Sequence, residues 1–144
     1  MLADPALRPS ADEIRWMRDA FLDLLRIRRS STLFRLRSAD DVHQRVTLLN
    51  TGPEQVPTLV AAHIDGAGYD GARFSELAYF VNVGLGPVSI DVEQARGEPW
   101  QLHPQHRADA AADRRPRDAA RFDPTAGRFT IPARTAVVFV VEAS

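Results

Sequence analysis

Cysteine is absent from this 144-residue chain, and so is lysine: all 18 basic residues are arginine. Without thiols there is no disulfide, no thiolate metal ligand and no cysteine nucleophile, whatever the redox compartment. The arginine-only basicity reads as a GC-rich coding bias rather than as chemistry. A charge of one sign is also lacking. The formal net charge of −1 supplies no field toward nucleic acid or an anionic membrane, and neither is expected as a partner. No apolar run approaches the ~20 residues of a membrane span. The opening, MLADPALRPS, lacks the basic-then-apolar order of a secretory signal and reads instead as a turn-rich lead-in from the middle of a longer chain. Cytoplasmic and secreted locations stay equally open. Nucleophile elbow, phosphate-binding glycine loop and zincin helix are missing too. In Gly84-Leu85-Gly86-Pro87 a proline stands where a phosphate cradle needs an N–H. No cofactor, no metal and no catalytic residue is expected in this chain.

The length fits one domain, or a small domain with an added element, and a chain of this size buries roughly 68–70% of its unfolded surface without staples. One helix is plain. Ser10 and Glu13 form a capping box after Pro9. Ile14, Met17, Phe21, Leu24 and Leu25 then recur at helical spacing. Arg26, Arg28 and Arg29 sit in the last turn, where cations suit the macrodipole. Burying the five apolar side chains would contribute roughly 10 kcal/mol in gross transfer terms. Trp16, Ala20 and Ile27 extend the apolar character beyond one stripe, and a helix with two apolar flanks has neighbours on two sides.

Past residue 40 the period changes from helical to alternating. Strands are expected at 45–50, 58–64, 76–83 and 88–92, with a short one at 99–103. Asp40 and Asp41 read as a loop, and the Ala-, Asp- and Arg-rich stretch 107–121 reads as a solvated loop with room for one helical turn. The segment GRFTIPARTAVVFV (127–140) adds two more strands meeting at Pro132-Ala133-Arg134. They read as a hairpin whose second strand, apolar on both sides, is covered on both sides. About seven short strands with Gly/Pro punctuation indicate a mainly β fold: an antiparallel β-sandwich preceded by one N-terminal α-helix. The division is a helical segment over 1–39 and a sandwich over 40–144.

Candidate chemistry is sparse. His63 and Asp65 alternate along one strand but lack a third ligand, and Asp65-Gly66 is a natural turn. His103 and His106 have a one-turn spacing that Pro104 argues against. Asp40 with Asp41, or Glu76 with Asp91, would need placement across a cleft to act as acid and base. Arg114, Arg115, Arg117 and Arg121 are interleaved with Asp109, Asp113, Asp118 and Asp123, the pattern of a solvated mixed-charge loop. Among aromatics, Tyr69 in a glycine-rich loop and Trp100 are the candidates for stacking on a sugar ring, whereas Trp16 and Tyr79 read as seam or core.

Three stretches carry a resemblance. LADPALRPSADEIRWMRDAFLDLLRIRRSSTLFRL (2–36) resembles the last barrel segment of bacterial pullulanase-type α-1,6-glucosidases, starch-debranching enzymes of the α-amylase clan. VHQRVTLLNTGPEQVPTLVAAHID (42–65) and FDPTAGRFTIPARTAVVFV (122–140) resemble the C-terminal β-domain of the same enzymes. The likeness is weaker over 66–121. It implies that the helix closes a (β/α)8 barrel whose catalytic carboxylates have no matching position here. The chain would then be a non-catalytic accessory domain packed on that barrel, with Trp16, Ala20 and Ile27 as the barrel-packing seam. Two other readings stand beside it: an α-glucan-binding module using Tyr69 or Trp100, and an interaction domain that dimerises through the helix.

Overall fold

The computed structural model describes residues 8–143; most of the turn-rich lead-in falls on residues 1–7, outside them. Helix α1 (Ala11–Ser30) begins where the capping box requires. The Ser10 hydroxyl accepts from the Glu13 N–H at 3.2 Å, and the Glu13 carboxylate accepts from the Ser10 N–H at 2.7 Å. After a 3-10 turn at Thr32–Arg35, Ser38 and Asp41 form a second capping box, which starts helix α2 (Ala39–Arg45). Asp40 and Asp41 are therefore in a helical first turn, not in the expected loop. The strand expected from residue 45 is cut to β1 (Val46–Leu48).

The remaining elements are β2 (Leu59–Asp65), β3 (Phe74–Asn82), β4 (Val88–Asp91), a 3-10 turn at Glu93–Ala95, β5 (Gln101–Leu102), α3 (Pro104–Arg107), α4 (Arg115–Ala119), β6 (Arg121–Asp123), β7 (Arg128–Ile131) and β8 (Thr135–Glu142). All pairings are antiparallel. One sheet has the order β1-β2-β3-β8-β5 and the other β4-β7-β6. The mainly β, two-sheet sandwich with an N-terminal helix is thus present, with β6 as a strand the sequence reading did not assign.

Between the sheets, Phe80, Trp100, Phe129, Ile131, Val137 and Phe139 form the main core. Phe129 is its hub, with ring centroids 4.9 Å from Phe80 and 5.1 Å from Phe139. A second cluster lies on the outer face of the larger sheet. There Phe74, Leu77, Val138 and Val140 pack under Ile27 of α1 and Leu33 of the following turn. Strand β8 feeds both clusters, as its two-sided apolar pattern demanded.

The expected hairpin over 129–140 does not form, because β7 and β8 belong to opposite sheets. Pro132 has no N–H with which to continue a ladder, and Arg134 adopts a left-handed φ of 49°. Together they lift the chain across the ~10 Å between facing sheets. Of the other sheet-to-sheet crossings, the one that joins β3 to β4 lies beside it. Asn82, only 1% exposed, ties the two crossings together. Its amide donates to the Gly86 carbonyl at 2.9 Å and the Pro132 carbonyl at 3.0 Å, while its oxygen accepts from the Gly84 N–H at 2.9 Å.

Asn82→Ala removes a buried amide, leaves the buried Pro132 carbonyl without that partner and frees the partly open Gly84 and Gly86 groups, and should destabilise the domain by about 1–3 kcal/mol. Urea denaturation measures this, and a loss below about 0.5 kcal/mol would show that the crossings hold without the amide.

Candidate functional site

Helix α1 has two faces, and their roles are the reverse of the sequence expectation. Ile14, Met17, Phe21, Leu24 and Leu25, expected to be buried, are 40% to 61% exposed. Toward the sandwich turn Trp16, Ala20, Asp23 and Ile27, spaced by three and four residues. The three seam residues assigned to a missing barrel thus lie on the side of this domain's own sheet. Ile27 is 2% exposed, packed with Leu33 and Val138. Trp16 stays half exposed, with its indole N–H donating to the Ala112 carbonyl at 3.0 Å. The transfer energy expected from the five apolar side chains is therefore only partly gained within this chain.

What holds α1 to the sandwich is largely polar. Asp23 is 6% exposed, and its carboxylate accepts from the Ala112 N–H at 2.8 Å, the Gln105 side-chain amide at 2.9 Å and Arg26 at 2.7 Å. Two turns on, the Ser30 hydroxyl donates to the Ile27 carbonyl at 2.7 Å and lies 3.0 Å from His103 Nε2. Since that hydroxyl proton is engaged, Nε2 is the donor of the pair. His103 Nδ1 accepts from the Gln105 N–H at 3.0 Å, capping α3. His106 Nε2 accepts from the Val138 N–H of β8 at 3.2 Å. Both rings are buried, and each presents a bare nitrogen to a backbone donor. Each must therefore be neutral. Burial pushes His103 down to about 3, helped by His106, Arg73 and Arg107. Burial likewise pushes His106 down to about 4, against the opposing pull of Asp113 and Asp23. Pro104 does not forbid the turn between them, as expected, but occupies its first position, where a missing N–H costs nothing.

The sequence reading missed this clasp, although Asp23 sits in phase with Trp16, Ala20 and Ile27 and was the signal to follow. Other candidates are engaged locally. Asp65 accepts from the Ala67 N–H in its turn, and His63 pairs with Glu76 at 3.0 Å. Among the described residues no group of three His, Cys, Asp or Glu could hold a metal. Arg115 and Arg117 pair with Asp113 and Asp109, and Arg121 donates to backbone carbonyls. The Arg45 guanidinium lies 4.8 Å over the Tyr69 ring and so occupies one stacking face. Trp100 is 8% exposed, edge-on to Phe129, and so is not an open platform.

Beside the outward stripe of α1, a groove of about 480 Å³ runs along the uncovered part of the larger sheet, walled by Leu24, Arg28, Val42, Tyr79, Val81 and Ala136. Stripe and groove form one apolar surface, larger than the scattered exposed side chains of a solitary domain.

Comparison with known proteins places this surface in context. Residues 1–142 match the family described as "Alpha-1,6-glucosidases, pullulanase-type, C-terminal". The chain is 33% identical to the chloroplastic Pullulanase 1 of Arabidopsis thaliana, over 96% of this chain and 15% of the plant protein. It superposes on PulA of Klebsiella oxytoca with a TM-score of 0.79 at 23% identity, covering 94% of this chain and 13% of that one. The maltotriose complex of PulA from Klebsiella pneumoniae gives 0.81 at 25% identity, over 94% and 14%. The chain thus spans only about a seventh of these relatives' length.

The clasp has a pH signature. Both histidine pKa values lie below the unfolded value of 6.5, so the unfolded chain binds more protons as the pH falls. Stability is full above about pH 6.5 and declines toward pH 4 by up to about 1.4 kcal/mol per pH unit for each ring. Urea titrations across this range should show a shallower slope for His106→Gln, which keeps an acceptor but does not titrate. An unchanged slope would mean that His106 does not sense pH.

Proposed function

The chain belongs to the C-terminal family of pullulanase-type α-1,6-glucosidases, and from that premise we propose that it is a non-catalytic accessory domain that packs against the enzyme's catalytic barrel. The observation that carries this reading is the apolar stripe Ile14, Met17, Phe21, Leu24 and Leu25, open on a helix whose opposite side is clamped to the sandwich. A stripe of this size needs a cover. The relatives' much greater length supports the rest of the enzyme as that cover. In this reading residues up to 39 close the barrel and the sandwich from residue 40 shields and orients them. The seam lies on the outward stripe and the adjoining groove, while Trp16, Ala20 and Ile27 bind the domain's own side. Hydrolysis of the α-1,6 bond belongs to barrel carboxylates.

Two measurements test it. The purified chain should release no reducing ends from pullulan; release by the chain alone would overturn the proposal. The chain should copurify with a pullulanase catalytic barrel when the two are co-expressed, and Phe21→Glu with Leu25→Glu should abolish that. Because both side chains are exposed, the double variant should change the chain's own stability by no more than about 0.5–1 kcal/mol. If wild type instead forms a homodimer that the variant dissolves, and shows no barrel association, the stripe serves self-association and the proposal fails.

A further inference from the structure

The groove beside α1 does not end at Leu24. Leu24 and Ala136 border both that groove and a second cavity of about 230 Å³, which Trp16, Met17 and Phe21 line from the helix. The two form one apolar trough along the flank of the exposed stripe.

The chain as a whole is close to neutral, with a formal net charge of −1, but the trough is not. Between Asp23 and Asp40 the sequence holds five arginines and no carboxylate. Arg26 is paired with Asp23. Arg28, Arg29, Arg35 and Arg37 are exposed and have no hydrogen-bond or salt-bridge partner among the described residues. By contrast Arg15, Arg18, Arg96, Arg115, Arg117 and Arg128 each hold a carboxylate. Arg28 and Arg35 line the larger cavity, whose lining includes no acidic residue. At the other end of the trough stands Arg134, also exposed and without a side-chain partner. Its backbone is pinned: the N–H donates to the Gly84 carbonyl at 3.2 Å and the carbonyl accepts from Arg115 at 2.9 Å. The two carboxylates at that end are already engaged, Asp23 with the Ala112 N–H and Asp113 with Arg115. The macrodipole accounts for cations in the last turn of α1. It does not account for Arg35, in the turn beyond the helix, or for Arg134, on the link into β8.

We propose that the surface seated in this trough is anionic as well as apolar: hydrophobic side chains flanked by carboxylates that pair with Arg28 and Arg35 at one end and with Arg134 at the other. The inference rests on the docking reading above and names the chemistry of the occupant, a face of the catalytic barrel. An apolar cover takes these guanidinium groups out of water. Left unpaired there, each is costly, whereas opposite a carboxylate it makes a strong and directional contact. An anionic lipid surface is a poorer match. It would meet Asp12, Glu13 and Asp19 on the first half of α1, and a flat bilayer does not fill a trough. The charges also give the contact a direction along the helix. Arg15 and Arg18, near its start, are held by Asp12 and Asp19 and take no part.

The test uses the complex of the full chain with the co-expressed barrel, diluted and followed by sedimentation. Ionic strength is raised from about 0.05 to about 0.5 M, which shortens the screening length roughly threefold. Wild-type affinity should fall about tenfold over that range. Arg28→Gln with Arg35→Gln should weaken association about tenfold at low salt and flatten its salt dependence. Arg134→Gln should act in the same sense. Arg15→Gln with Arg18→Gln removes the same net charge from arginines already paired, and should change affinity less than about threefold. Salt-insensitive association, or equal losses from the two arginine pairs, would overturn the proposal and leave docking intact. Adsorption of the chain to vesicles of phosphatidylcholine with phosphatidylglycerol, lost in the Arg28→Gln, Arg35→Gln variant, would assign these arginines to lipid and overturn it as well. If the wild-type chain does not associate with the barrel at all, the docking reading fails and this proposal falls with it.

Discussion

Strand β8 is apolar on both sides, and a strand of that kind demands a cover on each. One cover is the three-stranded sheet, laid over Val137 and Phe139. The other is α1 and the turn behind it, laid over Val138 and Val140. The domain is therefore three layers deep along this strand, helix on sheet on sheet, and neither outer layer has a full partner without it. The connection at Pro132-Ala133-Arg134 serves the same end. By carrying the chain out of the smaller sheet, it inserts β8 between β3, which pairs with it along its length, and the short β5, beyond which His106 takes up the Val138 N–H.

The way α1 is fastened explains how it can belong to this domain and still offer an apolar stripe elsewhere. A purely greasy contact would let the helix roll until its most hydrophobic side met the sheet. Directional contacts prevent that. Asp23 grips the Ala112 N–H and Gln105, Trp16 grips the Ala112 carbonyl, and Ser30 meets His103. These bonds fix the rotation of the helix about its axis, with Ile27 inward and Phe21 outward. Asp23 is a buried carboxylate with satisfied hydrogen bonds, so its contribution is to orientation more than to net stability.

The legible parts of the sequence were those with a local physical signature. Ser10 with Glu13 marked the start of α1, alternation marked β4, and short apolar runs bounded by turn residues marked β2, β3 and β8. Ser38 with Asp41 carried the same kind of cap signal, but the alternation that follows drew attention away from it. Which face of α1 is inward was not legible. Hydrophobicity ranked the five-residue stripe first, whereas the choice is made by residues far along the chain, at 103, 105 and 112, that no helical period can reveal. The sheet membership of β7 and β8 was hidden for a related reason: a three-residue link fits a hairpin as well as a crossing, and Asn82, some fifty positions earlier, decides between them. Trp100 was a candidate platform because nothing in its local sequence shows burial, yet it belongs to the main core and is edge-on to Phe129.

The long reach of these contacts has a kinetic consequence. Trp16 finds its acceptor 96 residues away and Asp23 its amide donor 89 residues away, while β8 must enter between two strands that precede it. High contact order slows folding, because loop entropy must be lost before distant contacts can compensate. Until β8 inserts, β3 and β5 present bare edges to other chains, the state from which unfinished β proteins aggregate.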